Sequence, residues 1–327
     1  MSTAPSSPEF EIASLKSALL DRVRILSIEV WDGRVRESDI ERWLENFCGK
    51  ALETDQERTH ALHLLSKFSF FNILTIRSML RSIYRDLFRY PLIQRARHAA
   101  DSTRNFSILE SEFQEELAAT RFLGMGNPSE SGAHLLYYFR QVNTLSKKYF
   151  IHQHEILEHA AGIEDNRIAI PGLRRLVFID DIMGSGTQAT QYSKKLLSHV
   201  RAASKRDKTP IEIWYFTLFA RPDALRLVRE LEFDRVETVN EIDDTEKAFS
   251  DQSRAYRGAN LIRSQDGQSI AQTYGSILTP GSPLGFKDGQ LLLGFEHNVP
   301  DNTLPIFWLS ESNLNWEPIF PRFTKVY

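Results

Sequence analysis

The chain has 327 residues, with 40 Lys and Arg against 43 Asp and Glu for a formal net charge of −3, 42% apolar residues and a single cysteine. That length suits one large or two modest globular domains, the near-neutral charge excludes a chain given over to nucleic-acid binding, and the lone Cys48 excludes an internal disulfide. No stretch approaches the ~18 apolar residues of a membrane span, and residues 1–8, M-S-T-A-P-S-S-P, carry neither the apolar run of a signal peptide nor an arginine-rich transit pattern, so a cytoplasmic protein with no membrane partner is expected.

The first hundred residues carry helical periodicity at 11–27, at 38–47 and in a long run from 57 to about 89, which Pro91 is expected to stop. Ser38 followed three residues later by Glu41 reads as a capping box. Trp43, Leu44 and Phe47 read as core, and Cys48 as a buried thiol at the end of the same run. Arg77, Arg81, Arg85 and Arg89 recur at a spacing of four beside Ile73, Ile76, Leu80, Ile83 and Leu87. A solvated face is the ordinary meaning of such a stripe, and a partner or phosphate-backbone surface the alternative. Residues 1–105 are expected to form a helical N-terminal domain.

From about residue 107 the pattern alternates. A helix at 107–119 precedes a strand at 121–125, the loop G-N-P-S-E-S-G and a helix at 133–147. Strands are expected at 176–179, at 211–219 and at 236–239, with a helix at 224–231. This order implies βαβ units and a parallel sheet over residues 106–295. His152, His154 and His159 lack neighbouring cysteines or the H-E-x-x-H spacing, so they read as ordinary polar residues and no metal ligands are assigned.

The stretch L-V-F-I-D-D-I-M-G-S-G-T-Q, residues 176–188, concentrates the chemistry. Leu176 to Ile179 suit a strand buried on both faces, which places Asp180 and Asp181 at its carboxyl end, where open α/β sheets bind ligands. Gly184 and Gly186 permit a tight loop, Ser185 and Thr187 offer hydroxyls, and a helix beginning near Gln188 turns N–H groups toward an anion. A P-loop is excluded, since no lysine lies between Arg175 and Lys194. Taken singly, the acid pair also suits a receiver domain and G-S-G-T an ordinary turn. Together they point to a phosphorylated ligand.

This order of strand, acid pair and Gly/Ser/Thr loop resembles the phosphoribosyl diphosphate (PRPP) signature of type I phosphoribosyltransferases. The resemblance implies that Asp180 and Asp181 hold the ribose hydroxyls, that Gly184, Ser185, Gly186, Thr187 and Gln188 surround the 5′-phosphate, and that Mg²⁺ arrives with the substrate. It further implies that the loop after the first core strand, with Ser129, Ser131 and Gly132, grips the diphosphate, although Asn127-Pro128-Ser129 is equally an ordinary turn signal. Gly184 stands where purine-salvage members often carry an acid facing the base, which argues against base salvage.

Residues 297–308, H-N-V-P-D-N-T-L-P-I-F-W, and 316–322, W-E-P-I-F-P-R, make an unusual tail. Its prolines suit a rigid irregular hood over 296–327, in which Asn298 and Asn302 could bond a base edge while Phe307, Trp308 and Trp316 fill core. With the acid motif and the N-terminal W-D-G…I-E-R-W-L-E-N-F, the tail resembles the phosphoribosyltransferase-like proteins of prokaryotic conflict systems called PRTase-CE, found beside retron reverse transcriptases. The whole implies an α/β fold: a parallel-sheet, type I phosphoribosyltransferase-like core with an N-terminal helical domain and an irregular C-terminal hood. The function implied is that of an antiphage effector binding PRPP and acting on an unknown acceptor. The alternatives are a degenerate nucleotide-sensing or docking module for a reverse transcriptase with its DNA or RNA, and a nucleobase-salvage enzyme. Self-association is left open.

Overall fold

A computed structural model of the chain describes residues 8–126, 131–159, 166–310 and 315–322. In chain order its elements are α1 (Pro8–Glu29), α2 (Glu37–Glu45), α3 (Thr54–Leu65), β1 (Ser69–Phe71), α4 (Ile73–Ser82), α5 (Tyr90–Ala99), α6 (Phe106–Ala118), β2 (Thr120–Gly124), α7 (Ser131–Val142), β3 (Leu157–His159), β4 (Asn166–Ile168), β5 (Arg175–Met183), α8 (Thr187–Tyr192), α9 (Ser198–Arg206), β6 (Glu212–Ala220), α10 (Pro222–Arg229), β7 (Arg235–Glu241), α11 (Ser264–Leu278) and β8 (Leu293–Phe295). Two π-helical turns, Ile83–Arg89 and Ser193–Leu197, join α4 to α5 and α8 to α9. Among the described residues no helix is long and apolar enough to cross a membrane.

The chain divides into two compact units, residues 1–73 with 243–327, and residues 74–242. These bounds differ from the expected 1–105, 106–295 and 296–327. The stretch from α4 to α5 leaves the N-terminal helices because its apolar side chains belong to the sheet: Phe88, in the π-helical turn between them, packs edge-on to Phe122 at 5.0 Å and Trp214 at 6.1 Å. Pro91 does not end the helix. The wide π-helical turn before it gives room for a ring that would otherwise strike the carbonyl four residues back.

In the first unit α1 and α11 pack on α3, and β1 pairs with β8 in parallel. The strand β1 interrupts the expected 57–89 helix, because the aromatic run at 68–71 finds its partner some 220 residues away, with Phe70 opposite Gly294. The tail, expected as a rigid irregular hood, contributes to the core of this unit. Trp43 stacks on Phe307 at 5.4 Å and donates its indole N–H to the Ile306 carbonyl, while Trp308 donates to the Thr303 carbonyl. Buried Glu57 accepts the amides of Gly49, Ala51 and Leu52 and the Tyr274 hydroxyl. Two local expectations are corrected. Helix α2 starts at Glu37, with Asp39 Oδ2 accepting the Arg36 N–H, so the cap lies ahead of Ser38. Cys48 is exposed, since α2 ends at Glu45 and the turn beyond it buries Phe47 instead.

The second unit is a four-stranded parallel sheet in the order β2, β5, β6, β7. One face carries Leu176, Phe178, Ile213 and Tyr215 into a core with Leu197, Val200, Leu225 and Val228 of the helices following β5 and β6. On the other face Phe122 meets Phe88 and, from α7, Phe139. After α7 the chain reaches Phe150, which bridges Phe122 in parallel on the edge of β2 away from β5, and the Ile151 amide donates to the Phe122 carbonyl. So the chain steps outward from β2 on one face and outward from β5 in the opposite direction on the other, as right-handed crossovers demand. The topological switch point therefore lies between β2 and β5.

Candidate ligand site at the sheet switch point

The ladder between β2 and β5 ends at Gly124 opposite Ile179, with one further bond from the Met125 amide to the Ile179 carbonyl. On its other edge β5 stays paired with β6 as far as Met183 opposite Ala220. The strand is thus longer than expected, and Asp180 and Asp181 are its sixth and seventh residues of nine, just past the point where β2 leaves. Both loops that the sequence singled out spring from this opening. Gly126, with φ of 96°, turns the chain out of β2, and 184–186 turn it out of β5.

Asp180 and Asp181 are 3% and 6% exposed. Asp180 Oδ1 accepts the Asp181 amide at 3.0 Å, Asp180 Oδ2 accepts the Tyr215 hydroxyl at 3.2 Å, and Asp181 Oδ1 accepts the Ile182 amide at 2.7 Å. Burial first, and the neighbouring Asp181 carboxylate second, push the Asp180 carboxyl well above the usual carboxylate range despite those donors. Burial and the same carboxyl push the Tyr215 phenol up as well. Thr217 stands opposite Asp180 in the ladder, fully buried, and its hydroxyl has no hydrogen-bond partner among the described residues.

In the loop, Gly186 takes a left-handed conformation with φ of 70° and packs closely on α10: a Cβ there would lie 3.1 Å from Leu227 and from Val228. Ser185 and Thr187 share a hydrogen bond of 3.0 Å between their hydroxyls, and the Thr187 amide points back to Ser185 Oγ. Gln188 is exposed on the first turn of α8, a position that directs N–H groups outward. The two loops are tied together by Tyr192, whose hydroxyl donates to the Gly126 carbonyl at 2.6 Å and also lies 2.8 Å from Gln153 Oε1. Arg221, 9% exposed, follows β6 at the same end of the sheet, its amide donating to the Met183 carbonyl and its guanidinium 3.9 Å from Asp223.

The structure therefore brings Asp180, Asp181, Gly184, Ser185, Gly186, Thr187 and Gln188 to one end of β5, beside the turn at Gly126. Ser131 and Gly132 open α7 directly after the second loop, while Ser129 lies outside the described residues. Asn298 and Asn302 belong to the other compact unit. There Asn302, 5% exposed, donates to the Phe286 carbonyl, and Asn298 Oδ1 accepts the Val299 amide. Both side chains are thus engaged with main chain, for prolines and glycines around them leave peptide groups that need partners. Tyr215, Thr217, Tyr192 and Arg221 were not legible as site residues. The first two join Asp180 only through the register of β6 on β5, which no local pattern encodes.

The arginine stripe is not a continuous surface. Arg77 lies over the Tyr138 ring at 5.0 Å, Arg85 pairs with Asp86, Arg89 pairs with Glu110 at 2.8 Å, and Arg81 is exposed. His152 and His154 stack with ring centroids 5.6 Å apart.

A protein-family model, PRTase-CE, matches residues 40–322, and the chain belongs to that family of phosphoribosyltransferase-like α/β proteins. No curated protein matches. Among solved structures the AQ2163 protein from Aquifex aeolicus is similar over 64% of this chain and 86% of its own, at 12% identity and a TM-score of 0.27, a likeness too slight to bear on the fold.

Proposed function

We propose that the switch-point crevice binds PRPP or a closely related ribose-phosphate nucleotide. The observation that carries this reading is the juxtaposition, on adjacent strands, of a buried acid pair with two loops tied by Tyr192. In it the 5′-phosphate sits against Ser185, Gly186, Thr187 and Gln188, the ribose hydroxyls face Asp180 and Asp181, and the diphosphate lies toward Gly126. Adjacent carboxylates are hard oxygen donors of the kind Mg²⁺ accepts beside phosphate oxygens, and the ion supplies charge neutralisation for a departing diphosphate.

The chemistry that suits this placement is displacement at the ribose anomeric carbon: the bond to the diphosphate breaks and one to an acceptor, or to water, forms. The protein contributes position and field. A carboxyl whose neutral form is favoured can both donate a hydrogen bond to a ribose hydroxyl and accept one, which positions the sugar without a proton changing hands. Within the PRTase-CE family we place the protein as a toxic effector of a retron-type antiphage system. A second reading keeps the ligand and drops the reaction, because the acids are almost wholly enclosed: a nucleotide sensor that docks a partner such as a reverse transcriptase with its DNA or RNA.

Calorimetry with PRPP and Mg²⁺, together with an assay for released diphosphate, separates these readings. Binding with diphosphate release supports the enzyme, binding without it the sensor. Binding that survives in Asp180→Asn/Asp181→Asn removes the site from both.

A further inference from the structure

In the unit formed by residues 1–73 and 243–327, the lining of a cavity of about 360 Å³ includes the apolar Leu15, Leu19 and Ile262 and the cationic Arg22, Lys67 and Arg257. Among the described residues none that lines it is acidic. Elsewhere in the unit Arg24, Arg34, Arg42, Arg254 and Arg263 each pair with a carboxylate. Arg22 bonds the Ser66 carbonyl at 3.2 Å, which fixes α1 on the end of α3 and holds the guanidinium in place. Lys67 and Arg257 have no ion pair among the described residues.

The crowding has an electrostatic cost. Burial, and then the Arg22 charge, lower the Lys67 ammonium below its ordinary value. His63, which also lines the cavity, donates Nε2–H to the Ala255 carbonyl at 2.8 Å and is driven down to about 4, mainly by burial and further by Lys67 and Arg22, so it adds no charge at neutral pH. These three cations come from separate elements, α1, the turn after α3 and the loop before α11, and none has an ion pair among the described residues. An incoming anion would offset their mutual repulsion, and the apolar residues of the lining suit an anion that carries an apolar body.

We propose that this cavity is a second ligand site, for a free nucleoside diphosphate, with the base against Leu15, Leu19 and Ile262 and the phosphates among Arg22, Lys67 and Arg257. It is independent of the crevice in the sheet unit. The volume lies in the ordinary small-molecule range of about 300–1,000 Å³.

The test is titration of the full chain with adenosine diphosphate in an Asp180→Asn/Asp181→Asn background, where the sheet crevice is disabled and urea curves confirm folding. One equivalent should bind. Adding Lys67→Gln and Arg257→Gln, both at accessible side chains, should weaken it about a hundredfold, tenfold for each cation removed. The same two substitutions in the native chain should leave PRPP binding unchanged, so failure of one site is distinguishable from failure of the other. No uptake of adenosine diphosphate, or equal affinity after the charge substitutions, overturns the proposal. So does displacement by a single-stranded oligonucleotide at equal nucleotide concentration, which would assign the phosphates to a nucleic-acid strand.

Discussion

Gly186 offers a test in which backbone strain and packing can be separated. Its φ is 70°, and an added Cβ would sit 3.1 Å from Leu227 Cδ2 and Val228 Cγ2, with the Ala224 carbonyl at 3.7 Å. Gly172, in the turn before β5, has the same φ of 70° but nothing within 4 Å of its Cβ position. Alanine in the left-handed region costs about 1–2 kcal/mol at either site. A stiffer unfolded chain returns about 0.4–1 kcal/mol. Pushing two methyl ends aside adds about 1 kcal/mol at Gly186 alone. Urea denaturation should therefore show Gly172→Ala destabilised by about 0.5–1 kcal/mol and Gly186→Ala by about 1.5–2 kcal/mol. The easiest relief at Gly186 is a shift of the loop that carries Ser185 and Thr187, so PRPP affinity should fall about tenfold, worth 1.4 kcal/mol, in that variant and not in the other. Equal stability losses with unchanged PRPP affinity in both variants would refute the claim that the approach of α10 shapes the loop.

Asp180→Asn should keep the fold and lose PRPP binding, since the amide can accept the Asp181 N–H while its NH₂ donates to the Tyr215 oxygen. Because the folded Asp180 is raised above its ordinary 3.8, its stabilising contribution is present in acid and lost as pH rises, so urea curves should show native and variant alike below about pH 4 and the variant relatively more stable at pH 8. His63 shifts the other way: lowered from 6.5 to about 4, it contributes in full above pH 6.5 and loses up to about 3 kcal/mol as pH falls through 4, a loss that His63→Gln should flatten in a pH series. Arg175, 3% exposed, bonds Glu116, Glu212 and Thr120 and lies 4.5 Å over the Trp214 ring. Arg175→Met should cost about 2–3 kcal/mol in chemical denaturation, below the 3–5 kcal/mol of a fully buried pair, because Arg174 and Arg95 still serve the two glutamates. An unchanged midpoint would show that the network adds nothing.

Local pattern determined a good deal about this protein. The alternation after residue 107, the strand beginning near Leu176, β6, β7 and α10 were legible because period and flanking Gly or Pro act within a dozen residues. So were the acid pair and its loop, whose chemistry is contiguous in the chain, and the family that the motif and tail resemble. Tertiary structure decided the rest. The aromatic run that becomes β1 looked helical until β8 provided an edge for it. Pro91 looked like a stop until a π-helical turn made room. Residues 296–327 read as a hood and 243–295 as part of the sheet core, and together they instead complete the unit around Trp43 and Phe47. Around Asp180 the partners Tyr215 and Thr217 come from a strand 35 residues on in the case of Tyr215, fixed by a parallel register. Such pairings depend on how much apolar surface distant segments bury against each other, a quantity that belongs to the assembled fold and to no window of the chain.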